Sequence, residues 1–251
     1  MDESVKKVVM TGGSGPIGIA LIEKLMQEQV EIFLFQRECT IRSRFVPKYP
    51  QLHVETYTLE ELKRYVPQEH NYDVFIHMGW ANTGRTARND IEKQSKNVSY
   101  ACDAVEIAHK FGCHTFIGVG SQAEYGRKSE PLRPDTLCEP ETAYGIMKLA
   151  ACYATRSVCQ KYGMRHIWTR VLSGYGKYDN DGSVLIANIV NSIKNRPLAF
   201  SNGDQIWDFV YMDDIANALY LLAKRGKSNK IYPIGSGKAR PLKEYIQIMC
   251  E

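Results

Sequence analysis

The residues of this sequence that could do chemistry together are a serine, a tyrosine and a lysine in the middle of the chain. Tyr144 and Lys148 lie four residues apart in a segment with helical periodicity, so they share one face of the predicted helix. Ser121 follows an apolar run that predicts a strand. A phenol titrates at about pH 10, and a nearby ammonium favours the phenolate and lowers that pKa. The pattern therefore predicts a proton-transfer centre in which Tyr144 exchanges a proton, Lys148 lowers its pKa and Ser121 hydrogen-bonds the same substrate oxygen.

A second chemical signal is a glycine-rich turn that follows the apolar run 8–10 and reads Thr-Gly-Gly-Ser-Gly-Pro-Ile-Gly over residues 11–18. Glycines let backbone amides approach a pyrophosphate, and the helix that follows directs unpaired N–H groups and a positive dipole end toward it. Proline suits the first turn of such a helix, where no N–H is needed. We therefore expect a dinucleotide to be bound by Gly12, Gly15, Pro16, Ile17 and Gly18. Tyr144 and Lys148 are expected to contact the same cofactor, Lys148 through the nicotinamide ribose.

The end of the second predicted strand indicates which dinucleotide is bound. An acidic residue there would bond the ribose 2′-hydroxyl of NAD, but the run ends in Gln36 and Arg37, with Arg42 and Arg44 following. Glu38 comes one position too late. The sequence therefore favours NADP, bound in part by Gln36 and Arg37, with NAD as the alternative.

Strand-like and helix-like segments alternate through the first two thirds of the chain, which predicts an α/β fold with a doubly wound parallel sheet. The predicted strands are 7–11, 31–35, 73–78, 114–119 and 166–172, and the predicted helices are 16–29, 89–110 and 142–162. We place a dinucleotide-binding domain at 1–176 and a smaller substrate-binding lobe, interwoven with the main sheet, at 177–251. That lobe is predicted to contain a polar turn at 179–182, helices at 184–194 and 242–249, and short strands at 198–201 and 209–212. Because the chain stops inside the last predicted helix, we expect residues to be missing after Glu251.

The composition excludes several other classes of protein. The net charge is only +4 and the basic residues are scattered, so no nucleic-acid surface is expected. No apolar stretch approaches the roughly 20 residues that a membrane-spanning helix needs. The seven cysteines lack Cys-x-x-Cys spacing and no histidine pair has zinc-site spacing, which predicts reduced thiols, no metal site and a cytoplasmic protein.

Four motifs in this order resemble the extended short-chain dehydrogenase/reductases, specifically their nucleotide-sugar epimerase/dehydratase/reductase group. They are the glycine turn, Gly-Ser-x-x-x-Tyr-Gly at 120–126, Tyr-x-x-x-Lys at 144–148 and Trp-Asp-Phe-Val-Tyr-x-Asp-Asp at 207–214. The resemblance implies a Rossmann-type domain, a catalytic triad of Ser121, Tyr144 and Lys148, and hydride transfer between the nicotinamide and a sugar carbon. It also implies a homodimer packed through the helices at 89–110 and 142–162, and a structural role for Asn97. The expected substrate-binding residues are Ser121, Tyr125, Ser173 and Trp207.

The sequence departs from the family pattern at three places. Ser173 stands where an asparagine is usual, and Trp207 stands where an arginine usually binds the substrate diphosphate. Trp207 is predicted either to stack on a base or sugar or to pack in the core. Relatives also continue beyond this C-terminus.

The favoured reaction is NADPH-dependent reduction of a keto group on a nucleotide-linked deoxysugar. A dehydratase of this family would carry an acidic pair just after the serine, typically Asp-Glu, where this chain has Gln122, Ala123 and Glu124. Glu124 is expected to be a surface or pocket-rim carboxylate without a catalytic role. An NAD-dependent nucleotide-sugar epimerase is the near alternative. A non-sugar ketone reductase and a non-catalytic dinucleotide-binding protein are further ones.

Overall fold

The computed structural model describes residues 4–38, 42–84, 86–179, 183–194, 196–197 and 202–250. The strands are β1 (Lys7–Thr11), β2 (Glu31–Gln36), β3 (Leu52–Thr56), β4 (Val74–His77), β5 (Thr115–Ser121), β6 (Arg165–Val171), β7 (Ser173–Tyr175), β8 (Ile206–Trp207), β9 (Phe209–Tyr211), β10 (Lys230–Ile234) and β11 (Arg240–Pro241). The helices are α1 (Pro16–Gln27), α2 (Ile91–Lys110), α3 (Ala143–Lys161), α4 (Val184–Ile193), α5 (Met212–Arg225) and α6 (Leu242–Cys250). Four short 3₁₀ helices lie at Ser43–Phe45, Leu62–Arg64, Ala87–Asn89 and Gln122–Glu124.

The main sheet has seven parallel strands in the order β10-β6-β5-β4-β1-β2-β3. Its inner strands are almost entirely buried because helices cover both faces. On one face α1 and α5 pack against each other and the sheet, and on the other α2 pairs with α3. This is the Rossmann-type arrangement that the sequence predicted.

The strand order reverses between β1 and β4, and this switch point places the candidate site. Thr11 at the end of β1 pairs with His77 at the end of β4 and with Phe35 near the end of β2. Ser121 ends β5 at the same edge, where it pairs with Val171. Ligands of open parallel sheets bind at this carboxyl edge, beside the switch point.

Most predicted elements are confirmed within a few residues at each end, while β3, β10, α5, the short strands β7, β8 and β11, and the 3₁₀ helices were not predicted. Strands β3 and β10 form the two edges of the sheet, and α5 fills one face. Residues 198–201, predicted as a strand, lie outside the described residues. Because β10 pairs with β6 and α5 packs on α1, the C-terminal third of the chain supplies one edge strand of the main sheet and one of the helices on its face. The domain division at 176 stays a prediction.

Within the described ranges, no helix is both long enough and apolar enough to cross a membrane. The cysteine side chains described there carry free thiols, at Cys102, Cys113, Cys138, Cys152 and Cys159.

Candidate active site

The glycine turn joins β1 to α1 and has no room for side chains at two positions. Gly12 has a φ of +80°, and a Cβ on it would lie 2.7 Å from the backbone nitrogen of Gly79. A Cβ on Gly18 would lie 2.3 Å from the carbonyl oxygen of Gly12. Gly15 is the N-cap of α1 and Pro16 its first residue, so no N-cap side chain bonds to the amides of the first turn. This cradle fits the diphosphate of a dinucleotide, which needs close backbone approach and free amides.

Tyr144 and Lys148 lie on the first turns of α3, facing the end of β5. Thr142 caps this helix by accepting a hydrogen bond from the N–H of Gly145 at 3.1 Å. A Cβ on Gly145 would lie 2.3 Å from the carbonyl oxygen of Ala123, so the glycine lets α3 contact the turn that carries Ser121. The sequence-predicted serine, tyrosine and lysine are therefore brought together at the carboxyl edge of the sheet.

Lys148 is buried, and its ammonium has two partners. The Nζ donates to the carbonyl oxygen of Val119 at 2.7 Å and lies 4.0 Å from the ring centroid of Trp80. The same Nζ is 5.8 Å from the ring centroid of Tyr144. Burial lowers the pKa of Lys148 well below its usual range, while the charge of Glu124 raises it and that of Arg88 lowers it further.

The cation closest to Tyr144 is Arg88, which the sequence analysis did not identify. Its guanidinium carbon lies 4.2 Å from the centroid of the tyrosine ring. Burial raises the pKa of Tyr144, and the charge of Arg88 and a hydrogen bond with Ser121 oppose that rise. The guanidinium of Arg88 is thus a second cation beside Tyr144, and an effect of Lys148 on the tyrosine pKa stays a prediction, since its ammonium bonds to Val119 and lies 5.8 Å from the tyrosine ring centroid.

The loop after β4, which carries Trp80 and Arg88, is held by two buried side chains of α2. Gln94 accepts from the Trp80 indole N–H at 2.8 Å and donates to the carbonyl oxygens of Asn82 and Ala87. Asn97 accepts from the N–H of Ala81 at 2.7 Å and donates back to its carbonyl oxygen. The structural role predicted for Asn97 agrees with these bonds.

A buried histidine lies at the switch point between β1 and β4. The Nδ1 of His77 is 2.9 Å from the hydroxyl of Thr11, which also accepts from the N–H of Gly79. Burial, and then the charge of Lys148, lower the pKa of His77 to about 3. The imidazole is therefore neutral at physiological pH, and with Thr11 it ties the two strands together below the glycine turn.

Ser121 begins a short 3₁₀ helix that fixes its side chain. Its Oγ accepts from the N–H of Ala123 at 3.2 Å, which leaves the hydroxyl proton available for donation. The neighbouring Gln122 donates from its side-chain amide to the hydroxyl of Ser173 at 3.0 Å. Ser173, predicted to bind substrate, is thus connected directly to the serine turn.

Two other residues of this segment are core residues, which corrects the sequence-based assignments. Glu124 is fully buried, and its carboxylate accepts from the guanidinium of Arg170 at 2.7 Å instead of lying at the surface or pocket rim. Tyr125 is also fully buried, and its hydroxyl donates to the carbonyl oxygen of Arg133 at 2.8 Å. Tyr125 therefore has no exposed surface to offer a substrate.

At the end of β2, Gln36 is half-buried while Arg37 and Glu38 are exposed. A cavity of about 340 Å³ adjoins this strand end and is lined by Gln36, Lys48 and Tyr49 among others. The Gln36 Oε1 and the Tyr49 hydroxyl have no hydrogen-bond partner among the described residues. The strand end thus offers an unpaired acceptor, a hydroxyl and nearby cations, with no acid at the last position of β2.

Trp207 lies in the short strand β8 and is half-buried. Its ring centroid is 6.4 Å from that of Phe209, and its carbonyl oxygen accepts from the Tyr245 hydroxyl. Asp208 accepts from the N–H groups of Ser236 and Gly237 and so holds the adjacent loop. Trp207 keeps part of its surface accessible, and a role in substrate stacking stays a prediction.

Known proteins of similar sequence or structure align with almost the whole of this chain. A dTDP-4-dehydro-6-deoxyglucose reductase of Escherichia coli is 25% identical over 98% of this chain and 82% of its own length. The structure of dTDP-glucose 4,6-dehydratase from Bacillus anthracis in complex with NAD superposes with a TM-score of 0.84 at 19% identity, over 98% of this chain and 80% of that one. A UDP-N-acetylglucosamine 4-epimerase from Methanobrevibacter ruminantium gives a TM-score of 0.86 at 19% identity, over 98% and 81% of the two chains.

These relatives perform a reduction, a dehydration and an epimerisation, and they share one fold. The family model of the NAD dependent epimerase/dehydratase family matches residues 8–235, which include the glycine turn and the Ser121, Tyr144 and Lys148 centre. The chain therefore belongs to the NAD dependent epimerase/dehydratase family and is an enzyme of the extended short-chain dehydrogenase/reductase type.

Proposed function

We propose that this enzyme uses NADPH to reduce a keto group on a nucleotide-linked deoxysugar. The observation that carries the proposal is the placement of Tyr144, beside Ser121 and Lys148, at the sheet edge next to the glycine cradle. The similarity to the E. coli reductase over almost the whole chain supports it. Ser121, Tyr144 and Lys148 are the proposed catalytic residues.

Each of the three has a distinct task. Tyr144 donates its phenolic proton to the oxygen of the substrate carbonyl as that oxygen gains negative charge. Ser121 donates a hydrogen bond to the same oxygen, and the turn that fixes its Oγ keeps it oriented. The bound dinucleotide supplies the hydride. Lys148, desolvated beneath Trp80, is placed to bind the nicotinamide ribose and to hold a positive charge beside the tyrosine.

Two local features favour reduction over the other reactions of the family. The side-chain amide of Gln122 is bonded to Ser173, and the Glu124 carboxylate is directed into the core onto Arg170, so neither position offers the acid of a dehydratase. The last residues of β2 and its extension are Gln36 and Arg37, which suit the 2′-phosphate of NADP. A net reductase consumes exchangeable NADPH, whereas an epimerase recycles a tightly held NAD.

Calorimetric titration tests the cofactor and the carrier together. Charge-assisted hydrogen bonds contribute about 1.5–3 kcal/mol each, so NADPH is expected to bind at least about 10-fold more tightly than NADH. Arg37→Met should remove most of this preference with NADH affinity unchanged, and Arg127→Met, which loses an equally exposed guanidinium elsewhere, should retain it. In the presence of NADPH, one of UDP, CDP, GDP or dTDP should bind. Tighter binding of NADH, or NAD carried through purification, would favour the epimerase.

The placement of Arg88 leads to a pH prediction. Its charge lowers the pKa of both Tyr144 and Lys148, so its removal in Arg88→Met raises both. Reduction needs both groups protonated, and the alkaline limb of the pH–rate profile should therefore move to higher pH. A cation on an aromatic ring is worth about 0.5–1 kcal/mol at an exposed site, which corresponds to a shift of the limb by about 0.4–0.7 pH units. Arg127→Met is the matched control, and an equal shift in that variant would refute the assignment to Arg88.

We also infer that the enzyme is a homodimer, as the family resemblance implies. The outer faces of α2 and α3 expose the large apolar side chains of Ile91, Ile146 and Tyr153. Exposed apolar groups clustered on two paired helices are typical of an association surface.

A further inference from the structure

A buried ion pair lies directly behind the serine turn. Glu124 and Arg170 are both almost completely buried, and the Nε of Arg170 donates to the Oε2 of Glu124 at 2.7 Å. The indole N–H of Trp168 donates to both carboxylate oxygens at 3.1 Å. The backbone N–H of Ser121 donates to Oε1 at 2.8 Å. These donors to the carboxylate come from β6 and from the proposed catalytic serine.

The strands beside this pair are built to admit it. A Cβ on Gly120 would lie 2.1 Å from the Oε1 of Glu124, and one on Gly118 would lie 2.2 Å from the Trp168 ring. Gly118 and Gly120 pair in register with Trp168 and Arg170. The two glycines open a slot in β5 that receives the indole, and the carboxylate folds back against the same strand. This close packing against Gly118 and Gly120 is made by a Glu124 carboxylate that is buried and does not face solvent.

We propose that Glu124 is a positioning residue of the active site, which fixes the serine-bearing turn through the Ser121 N–H and holds negative charge behind Lys148. Arg170 neutralises the buried carboxylate and lies over the ring of Tyr125, with its guanidinium carbon 4.4 Å from the centroid. This inference rests on the roles proposed above for Ser121, Tyr144 and Lys148.

The charged groups around Lys148 and Tyr144 determine whether a substitution at Glu124 raises or lowers the pKa of these two residues. Glu124 raises the pKa of Lys148 and of Tyr144, whereas Arg88 lowers both. The other titratable or charged groups that face these side chains are His77, Arg170, Tyr125, Cys138 and Cys152. Replacement of Glu124 by glutamine removes the negative charge and leaves an acceptor for the Ser121 N–H. The pKa of Lys148 and of Tyr144 should therefore fall, opposite to the effect of Arg88→Met.

The experiment titrates Lys148 directly by NMR of protein labelled with ¹³C at the lysine ε-carbon, with the signal assigned by its loss in Lys148→Met. In Glu124→Gln the Lys148 titration should move to lower pH, and the alkaline limb of the pH–rate profile should follow it. We expect kcat to fall about 10- to 100-fold, with cofactor affinity unchanged, because a neutral amide accepts from the Ser121 N–H more weakly than a carboxylate and holds the serine turn less firmly. An unchanged lysine titration together with unchanged kcat in folded Glu124→Gln would overturn the proposal.

A second variant covers the case in which an unpaired Arg170 prevents folding. The double variant Glu124→Gln with Arg170→Met removes the orphaned buried charge, and its lysine titration should still move to lower pH, by less than in the single variant because a cation is lost as well. Thr155→Val is the control for damage to the core of α3, since the buried Thr155 hydroxyl bonds to the Ala151 carbonyl oxygen and to His166 and not to the serine turn. It should lower the thermal midpoint and leave the Lys148 titration in place. If the wild-type enzyme showed no turnover, the proposed function would fail, while the lysine titration would still decide this inference.

Discussion

Tyr144→Phe should nearly abolish turnover, with kcat lowered by about 10²–10⁴-fold, the usual contribution of a positioned general acid. The phenylalanine ring keeps the contacts that hold Tyr144. The Arg88 guanidinium lies over its face, and the Trp80 ring is nearly perpendicular to it, with 6.0 Å between the two ring centroids. Only the hydroxyl that interacts with Ser121 is lost, so the fold and the glycine cradle are unaffected. Cofactor affinity should therefore stay close to that of the wild type.

The measurement is kcat at saturating substrate together with the calorimetric Kd of NADPH. Tyr153→Phe is a suitable control because Tyr153 lies on the same helix with its side chain exposed. A near-normal rate in Tyr144→Phe, or an equal loss in Tyr153→Phe, would mean that another group donates the proton.

Lys148→Met is the second change with a large expected effect. Methionine has nearly the volume of the lysine stem and fits the buried space beneath Trp80. The ammonium that donates to Val119 and that is placed to bind the nicotinamide ribose is lost. Removal of one preorganised donor typically lowers kcat by about 10²–10³-fold, and here the affinity for NADPH should fall as well.

Stability distinguishes this loss from unfolding. A buried ammonium is desolvated at a cost, so its replacement by an apolar group should leave the thermal midpoint nearly unchanged or raised. Lys161→Met, at the exposed end of the same helix, should affect neither rate nor cofactor binding. If Lys148→Met bound NADPH and turned over like the wild type, the lysine would have no part in the reaction.

Much of the architecture could be predicted because its signals are local. Strands β1, β2, β4 and β5 are short, mostly apolar runs, and α1, α2 and α3 have clear helical periodicity. The glycine turn and the Tyr-x-x-x-Lys motif each fall within eight residues of sequence, and in the structure both motifs lie at one edge of the sheet.

The missed elements lie where the pattern is weaker or follows a motif. The edge strand β3 has no fully buried residue, with Val54 at the surface, and its sequence Leu-His-Val-Glu-Thr lacks a continuous apolar run. Helix α5 does carry a signal, since Asp213 and Asp214 occupy its first turn and Ile215 and Leu219 its buried face. The strand β9 runs directly into α5 without a turn, so no break in the sequence pattern indicates where the helix begins.

The missed site residues depend on tertiary structure. Glu124 looks like an ordinary exposed acid in the sequence, and its partner Arg170 is 46 residues away on a strand that only the sheet register brings alongside. Arg88 lies in a loop without periodicity and reaches Tyr144 because Gln94 and Asn97 hold that loop on α2. Long-range pairing of this kind has no local signal in a single sequence.

The reductase assignment is tested by the consumption of NADPH when the wild-type enzyme is given dTDP-4-dehydro-6-deoxyglucose, the keto-sugar named by the E. coli relative, or its UDP, CDP and GDP counterparts. We expect one of these sugars to be reduced with one NADPH consumed for each sugar, and Tyr144→Phe to show no such consumption. If no keto-sugar consumed NADPH while the enzyme interconverted UDP-hexoses with bound NAD, the chain would be an epimerase and the reductase proposal would be wrong.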